Sequence, residues 1–268
     1  LSRTVCTFFE AYWQDKFSNN VLPLRVGNDV ATIDGVMGVI EILSSRRVYT
    51  KLNPFVVLLG KGDHEIKSLY EDHYGNTPGY YQATFGITRS NITFVGKGID
   101  TTRILGGFHI GNVENITFKQ MTLTNTSGEG NGIRMRISKV ELMDVALKGC
   151  TNHGLYIPHS ISETTVVATR CEFANSGFGA VVEGSLNSAT FNNCVFYDNK
   201  YQGLAGSSKA TIHLHGEDTA IHSNKSNGIY ASISAKVIIH LPSNHNTCYN
   251  NGTDRNTRSF GTINNVED

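Results

Sequence analysis

Gly132-Ile133-Arg134-Met135, Gly154-Leu155-Tyr156-Ile157 and Gly179-Ala180-Val181-Val182 are three versions of one pattern, a glycine followed by a short apolar run. The pattern starts earlier, at Gly86-Ile87-Thr88 and Gly107-Phe108-His109-Ile110, and continues at Gly203-Leu204-Ala205 and Gly228-Ile229-Tyr230. The steps between these glycines are 21, 25, 22, 25, 24 and 25 residues, and Gly252 follows 24 later. A near-constant period of this length marks a repeat architecture. Other columns keep the same step. Ile92, Ile116, Val140, Val166 and Ala189 form one; Met121, Val145, Cys171 and Cys194 form a second. Leu123, Leu147, Phe173 and Phe196 form a third, and Asn125, Gly149, Asn175 and Asp198 follow in register. Each repeat thus holds about three short strands separated by Gly, Asn and Ser. At ~3.3 Å per residue, that length closes one turn of a coil, and successive turns stack at ~4.8 Å. The expected architecture is an all-β solenoid of about seven to eight turns. Cys171 over Cys194 fits an inward ladder of small hydrophobes, and corner Asn residues can bond to the Asn above and below.

Composition agrees. Gly and Asn number 27 and 25 of 268 residues against only 5 Pro, which suits many tight, regular turns. Lys plus Arg and Asp plus Glu are 23 each, so bulk positive charge for nucleic-acid binding is missing. No nucleic-acid partner is expected. The longest apolar run, 54–60, is strand length, and no run approaches a membrane span. Cysteine is an odd five with no CxxC pair, which reads as reduced, buried thiols. The compartment stays open, the odd cysteine count leaning intracellular or organellar. A chain that starts at Leu1 reads as lacking its natural N-terminus and any targeting peptide. The sequons at Asn91, Asn115, Asn125, Asn224 and Asn251 do not argue for secretion, because Asn-rich corners generate such matches.

The ends of a rod must be covered, because an open end is an unpaired sheet edge. Residues 1–17 place Val5, Phe8, Phe9, Tyr12 and Trp13 at helical spacing, and 29–43 reads as a second helix. The expected organisation is a helical cap over 1–47, the coil over 48–252, and a tail or cap over 253–268. Residues 1–20 are also a candidate subunit contact. Tyr70 to Tyr81 is a polar, Tyr-rich insertion before the regular turns.

Three stretches carry a resemblance. Gly60-Lys61-Gly62-Asp63-His64-Glu65-Ile66, after a helix and an apolar strand, is similar to the entry of right-handed parallel β-helix proteins of the pectin-lyase-like group. Ile92 to Gly98 followed by Thr101-Thr102-Arg103-Ile104 resembles an early-coil motif of that group. The turns at 131–133, 152–155 and 227–229 resemble its generic repeat. The resemblance covers roughly 50–252 and implies a right-handed coil. It also implies a carbohydrate-active enzyme, a carbohydrate binder or a structural β-helix. Fold alone does not choose among them.

Chemistry must come from side chains. Glycoside hydrolysis needs two carboxylates ~5–9.5 Å apart. Glu141, Asp144, Glu172, Glu183, Asp198, Glu217 and Asp218 do not stack as a pair in the repeat alignment. The signatures of polygalacturonase-like hydrolases, pectin methylesterases and mannuronan epimerases are also absent. A β-eliminating lyase needs a base and a group that neutralises the uronate. With Ile133 and Met135 inward, Arg134 and Arg136 point outward. The alignment sets His109 and Tyr156 beside Arg134. His109, Arg134, Arg136 and Tyr156 are therefore candidate catalytic residues, and Arg134, Tyr156, Glu183 and Tyr230 candidate binding residues. The competing reading is an exposed sheet face covered by solvated side chains.

Ile212-His213-Leu214-His215 aligns with Ile239-His240-Leu241, so His213 should lie beside His240, with His215 near. These are weak candidates for a metal site, against a solvated histidine ladder. No cofactor is expected. Thr93, Thr117 and Thr190 share an outward column, but Glu141, Val167 and His213 interrupt the regular threonine face that ice binding needs.

The reading placed first is a non-catalytic β-helix whose flat faces bind an extended polysaccharide or protein. The alternative is a polysaccharide lyase acting on an acidic glycan.

Overall fold

The computed structural model describes residues 23–44, 47–72, 79–240 and 247–266. The apolar stripe and subunit contact expected within 1–20 lie outside the described residues. The described chain is a right-handed parallel β-helix. One eight-stranded sheet runs from Thr84–Ile87 to Thr253–Arg258, taking one strand from each successive turn. The larger, sixteen-stranded sheet wraps the other faces. All its pairings are parallel, as stacked turns require.

The inward columns explain the coil. Ile92, Ile116, Val140, Val166 and Ala189 sit in register and are buried. Leu123, Leu147, Phe173 and Phe196 do the same. Phe94 stacks on Phe118 at 5.2 Å, and Phe173 on Phe196 at 4.7 Å. Burying each such ring stabilises the fold by roughly 1.5–3 kcal/mol.

Corners are made by single left-handed residues. Gln120, Asp144, Arg170 and Asn193 have φ between 51° and 57° and form one column. Each precedes an inward residue of the Met121, Val145, Cys171, Cys194 column and turns the chain onto the next face. Arg170 grips Asp144 through two bonds of 2.7 and 2.8 Å across this column.

A second corner column holds Gly149, Asn175 and Asp198, all with positive φ. The hydrogen-bonded ladder lies one residue further on. Ser176 N–H donates to Asn199 Oδ1 at 3.1 Å, Asn199 N–H to Asn224 Oδ1 at 3.1 Å, and Asn224 N–H to Asn251 Oδ1 at 3.0 Å. The left-handed residue aims the next side chain into the coil, where its amide bridges turns.

The N-terminal cap differs in detail. The helix is Val36–Ser44, preceded by a 3-10 turn Ile33–Gly35, rather than a helix from residue 29. The Asp29 carboxylate accepts the Arg25 N–H at 2.8 Å, which closes a turn after the strand Leu24–Val26. Val36, Val39, Ile40 and Leu43 are buried in the main core. The polar residues 253–265 extend the coil with strands Thr253–Arg258 and Thr262–Asn265.

Cys150, Cys171, Cys194 and Cys248 are reduced and buried. Burial pushes the Cys150 thiol up to about 11 and Cys248 up to about 12, and raises Cys171 as well. The thiolate is the reactive form. These four should resist a thiol reagent in the native protein and react in denaturant, read by peptide mapping. Fast native labelling of any of them would contradict this packing.

Candidate functional site

The eight-stranded sheet presents an outward column that runs Gly86, His109, Arg134, Tyr156, Val181, Ala205, Tyr230 and Asn256, one residue per turn. Inward neighbours such as Ile133, Leu155 and Ile157 are fully buried. Strand alternation therefore fixes the direction of Arg134 and Tyr156.

The insertion at 70–81 forms an antiparallel hairpin, Tyr70–Asp72 with Gly79–Tyr81, beside the start of this column. Tyr70 stacks on His109 at 4.2 Å. It also lies where a Cβ on Gly86 would stand, so any larger residue there would have to displace this ring. Tyr81 reaches further. The Arg134 guanidinium carbon is 5.2 Å from the Tyr81 ring centre and 5.0 Å from that of Tyr156. Arg134 is thus held between two rings, each contact contributing about 0.5–1 kcal/mol. Its Nε is shielded and has no hydrogen-bond partner among the described residues.

Tyr156 donates its hydroxyl to Glu183 Oε2 at 2.9 Å. Burial, and then the Glu183 charge, pushes its phenol up to about 12. His153 opens the same strand and stacks on Tyr156 at 4.4 Å and on Phe178 at 4.9 Å. Its Nδ1 lies 2.9 Å from Asn131 Oδ1. Burial, and then the Arg134 cation, lowers it to about 4.

That shift has a stability consequence. Between pH 6.5 and about 4 the unfolded chain binds a proton that the folded ring declines. Stability should therefore fall as pH drops through this window and level off below it. The change is about 3 kcal/mol, reduced by whatever solvent screening reaches this largely buried ring. His153→Gln should flatten the slope of melting temperature against pH. A histidine titrating near 6.5 by NMR would contradict the packing.

These strands carry the recurring glycine repeat, and residues 86–219, half of the chain, match the family described as a right-handed β-helix region. The chain belongs to the right-handed β-helix family. No curated protein matches it in sequence. A solved protein of Geobacillus virus E2, ORF18, is similar in structure, with a TM-score of 0.54 and 12% identity. The match covers 75% of this chain and 48% of the viral one, so the chain spans about half that protein's length. A pectin methylesterase in complex with a hexasaccharide is similar at a TM-score of 0.50 and 12% identity, over 92% of this chain and 93% of that one. The periplasmic alginate epimerase AlgG gives a TM-score of 0.44 at 12% identity, over 82% and 64%. At this identity the likeness to the viral protein and the pectin methylesterase establishes the fold alone, a right-handed parallel β-helix.

The β-helix brings Arg134, Tyr156 and Glu183 together, with Tyr230 three turns beyond Tyr156 in the same column. Val181 and Ala205 lie between, so the face dips there. His109 and Arg136 are buried on the same sheet, 3% and 8% exposed, with Tyr70 stacked on His109. The repeat arithmetic did not reveal Tyr81 as a wall of this site, because the hairpin lies outside the period; its Tyr-rich composition was the available signal. Two carboxylates that could be counted toward hydrolysis are engaged elsewhere. Asp144 is held by Arg170, and Glu172 by Lys148 and the Tyr197 hydroxyl.

The histidines need a correction. His240 pairs in register with His215, not His213, because the step here is 25 residues and Leu214 stacks on Ile239. His213 still reaches His240, its Nδ1 lying 2.9 Å from His240 Nε2.

Proposed function

We propose that this β-helix binds an extended acidic polysaccharide along the column that carries Arg134, Tyr156 and Tyr230, without cleaving it. The observation that carries this reading is the Arg134 guanidinium clasped between Tyr81 and Tyr156 with a shielded, unpartnered Nε. A guanidinium presents five donors in a planar fork that matches a carboxylate. With Nε shielded, a uronate carboxylate would pair with the terminal nitrogens of that fork, and a hydrogen bond to a charged group contributes about 1.5–3 kcal/mol. The flanking rings offer apolar faces to the sugar, and the dip at Val181 and Ala205 leaves room before Tyr230. Glu183 holds the Tyr156 hydroxyl and so fixes the ring. The similar pectin methylesterase was captured with a hexasaccharide, which is consistent with an extended sugar on such a surface.

Catalysis is the less supported reading. A general base works best with a pKa near the operating pH. Tyr156 sits near 12 and His153 near 4, both far from neutrality. His109 lies under Tyr70. The lyase alternative draws on the same residues, and release of an unsaturated product would select it.

Hydrogen exchange with a bound oligouronate tests the location. Protection should appear on 133–136, 153–157 and 178–183 and spare the opposite strands 164–169 and 187–192. Protection confined to those opposite strands would overturn the assignment.

A further inference from the structure

His213, His215 and His240 stand apart from the Arg134 face, on the larger sheet. Both strands that carry them, Thr211–His215 and Lys236–His240, alternate buried and half-exposed residues, which turns all three imidazoles outward. Ring centres are 4.0 Å apart for His215 and His240, 5.2 Å for His213 and His240, and 6.1 Å for His213 and His215. One ring nitrogen from each residue lies within 4.8 Å of the others.

The geometry points to a binding site for one divalent transition-metal ion, Zn²⁺ by its ligand chemistry, held by His213, His215 and His240. Two observations support it. The ligand set is imidazole alone, which suits Zn²⁺ and Cu²⁺ and not the oxygen-seeking Ca²⁺ or Mg²⁺. The spacing is within reach: Zn–N bonds of ~2.1 Å in a tetrahedral site set the nitrogens ~3.4 Å apart. The His215 and His240 planes differ by only 11°, so their nitrogens do not yet aim at one point. Rotation about χ2, a soft torsion for histidine, lets them converge. The fourth position stays open to water. The ion would fasten two successive turns together. This site is independent of the proposed glycan face.

The test uses the untagged chain, stripped with a chelator. Zn²⁺ is titrated against a chromophoric indicator, and Co²⁺ is added separately to read its visible spectrum. One equivalent should bind, Co²⁺ should give the intense bands of a tetrahedral site, and Zn²⁺ should raise the melting temperature. His213→Ala, His215→Ala and His240→Ala should each weaken binding tenfold or more, while His159→Ala, in a loop elsewhere, should not. Circular dichroism in chelator checks that each variant folds, and His→Gln versions replace any that do not. Absence of saturable binding overturns the site. So does binding that survives the His213→Ala/His240→Ala double variant, or that is lost equally in His159→Ala.

Discussion

Replacing Arg134 by alanine is expected to weaken binding of an acidic oligosaccharide by about 10- to 100-fold, because a hydrogen bond to a charged group contributes about 1.5–3 kcal/mol. The fold should largely survive. The lost contacts with Tyr81 and Tyr156 are worth about 1–2 kcal/mol together, a fall of roughly 2–8 °C in melting temperature for a chain of this size. Arg134→Lys should recover only part of the affinity. Lysine keeps the charge but loses the planar fork that pairs with a carboxylate and lies flat between two rings. Binding should also weaken with salt, since the face is only half-buried. Equal affinities for wild type and Arg134→Ala, measured by calorimetry, would remove Arg134 from the site.

The largest stability effect should come from the asparagine ladder. Asn224 is 1% exposed. Its Nδ2 donates to the carbonyls of Phe196 and His222, both at 3.1 Å, and to Asn251 Oδ1 at 2.8 Å. Its Oδ1 accepts from the Asn199 backbone N–H at 3.1 Å and the Asn199 amide at 2.8 Å. Asn224→Ala strands several of these groups at once, and each buried orphan costs about 1–3 kcal/mol. We expect a loss of about 3–5 kcal/mol, or roughly 6–20 °C in melting temperature. Asn224→Ser should cost less, because Ser176 already fills an equivalent rung and accepts the Cys150 N–H at 3.1 Å. A melting temperature unchanged within a degree or two in Asn224→Ala would show that the ladder does not carry stability.

The coil itself was legible because its cause is periodic. Inward residues recur wherever a turn stacks on the last, so Ile92, Ile116 and Val140 announce themselves by step alone. The ladder was legible in kind but displaced by one residue, since sequence does not show which corner residue takes the left-handed backbone. Asn175 and Asp198 take it, and Ser176 and Asn199 face inward. The histidine register slipped by two because two alternating strands align almost equally well at either offset; the buried Leu214 and Ile239 decide it. The Tyr81 wall was not legible as part of the site. It comes from an aperiodic hairpin, and its meeting with Arg134 depends on how that hairpin folds back over the first turns. The start of the helix was misplaced because the Asp29 side chain caps a turn instead of entering a helix.

The proposed role requires that an acidic sugar be held and left intact. The most direct measurement is calorimetric titration of the wild-type chain with acidic oligouronates and neutral oligosaccharides of equal length, with absorbance of unsaturated product followed in the same samples. The acidic sugars should bind saturably, the neutral ones much more weakly, and absorbance should not rise. Equal affinity for both sugars, or a steady rise in unsaturated product, would contradict the proposed role.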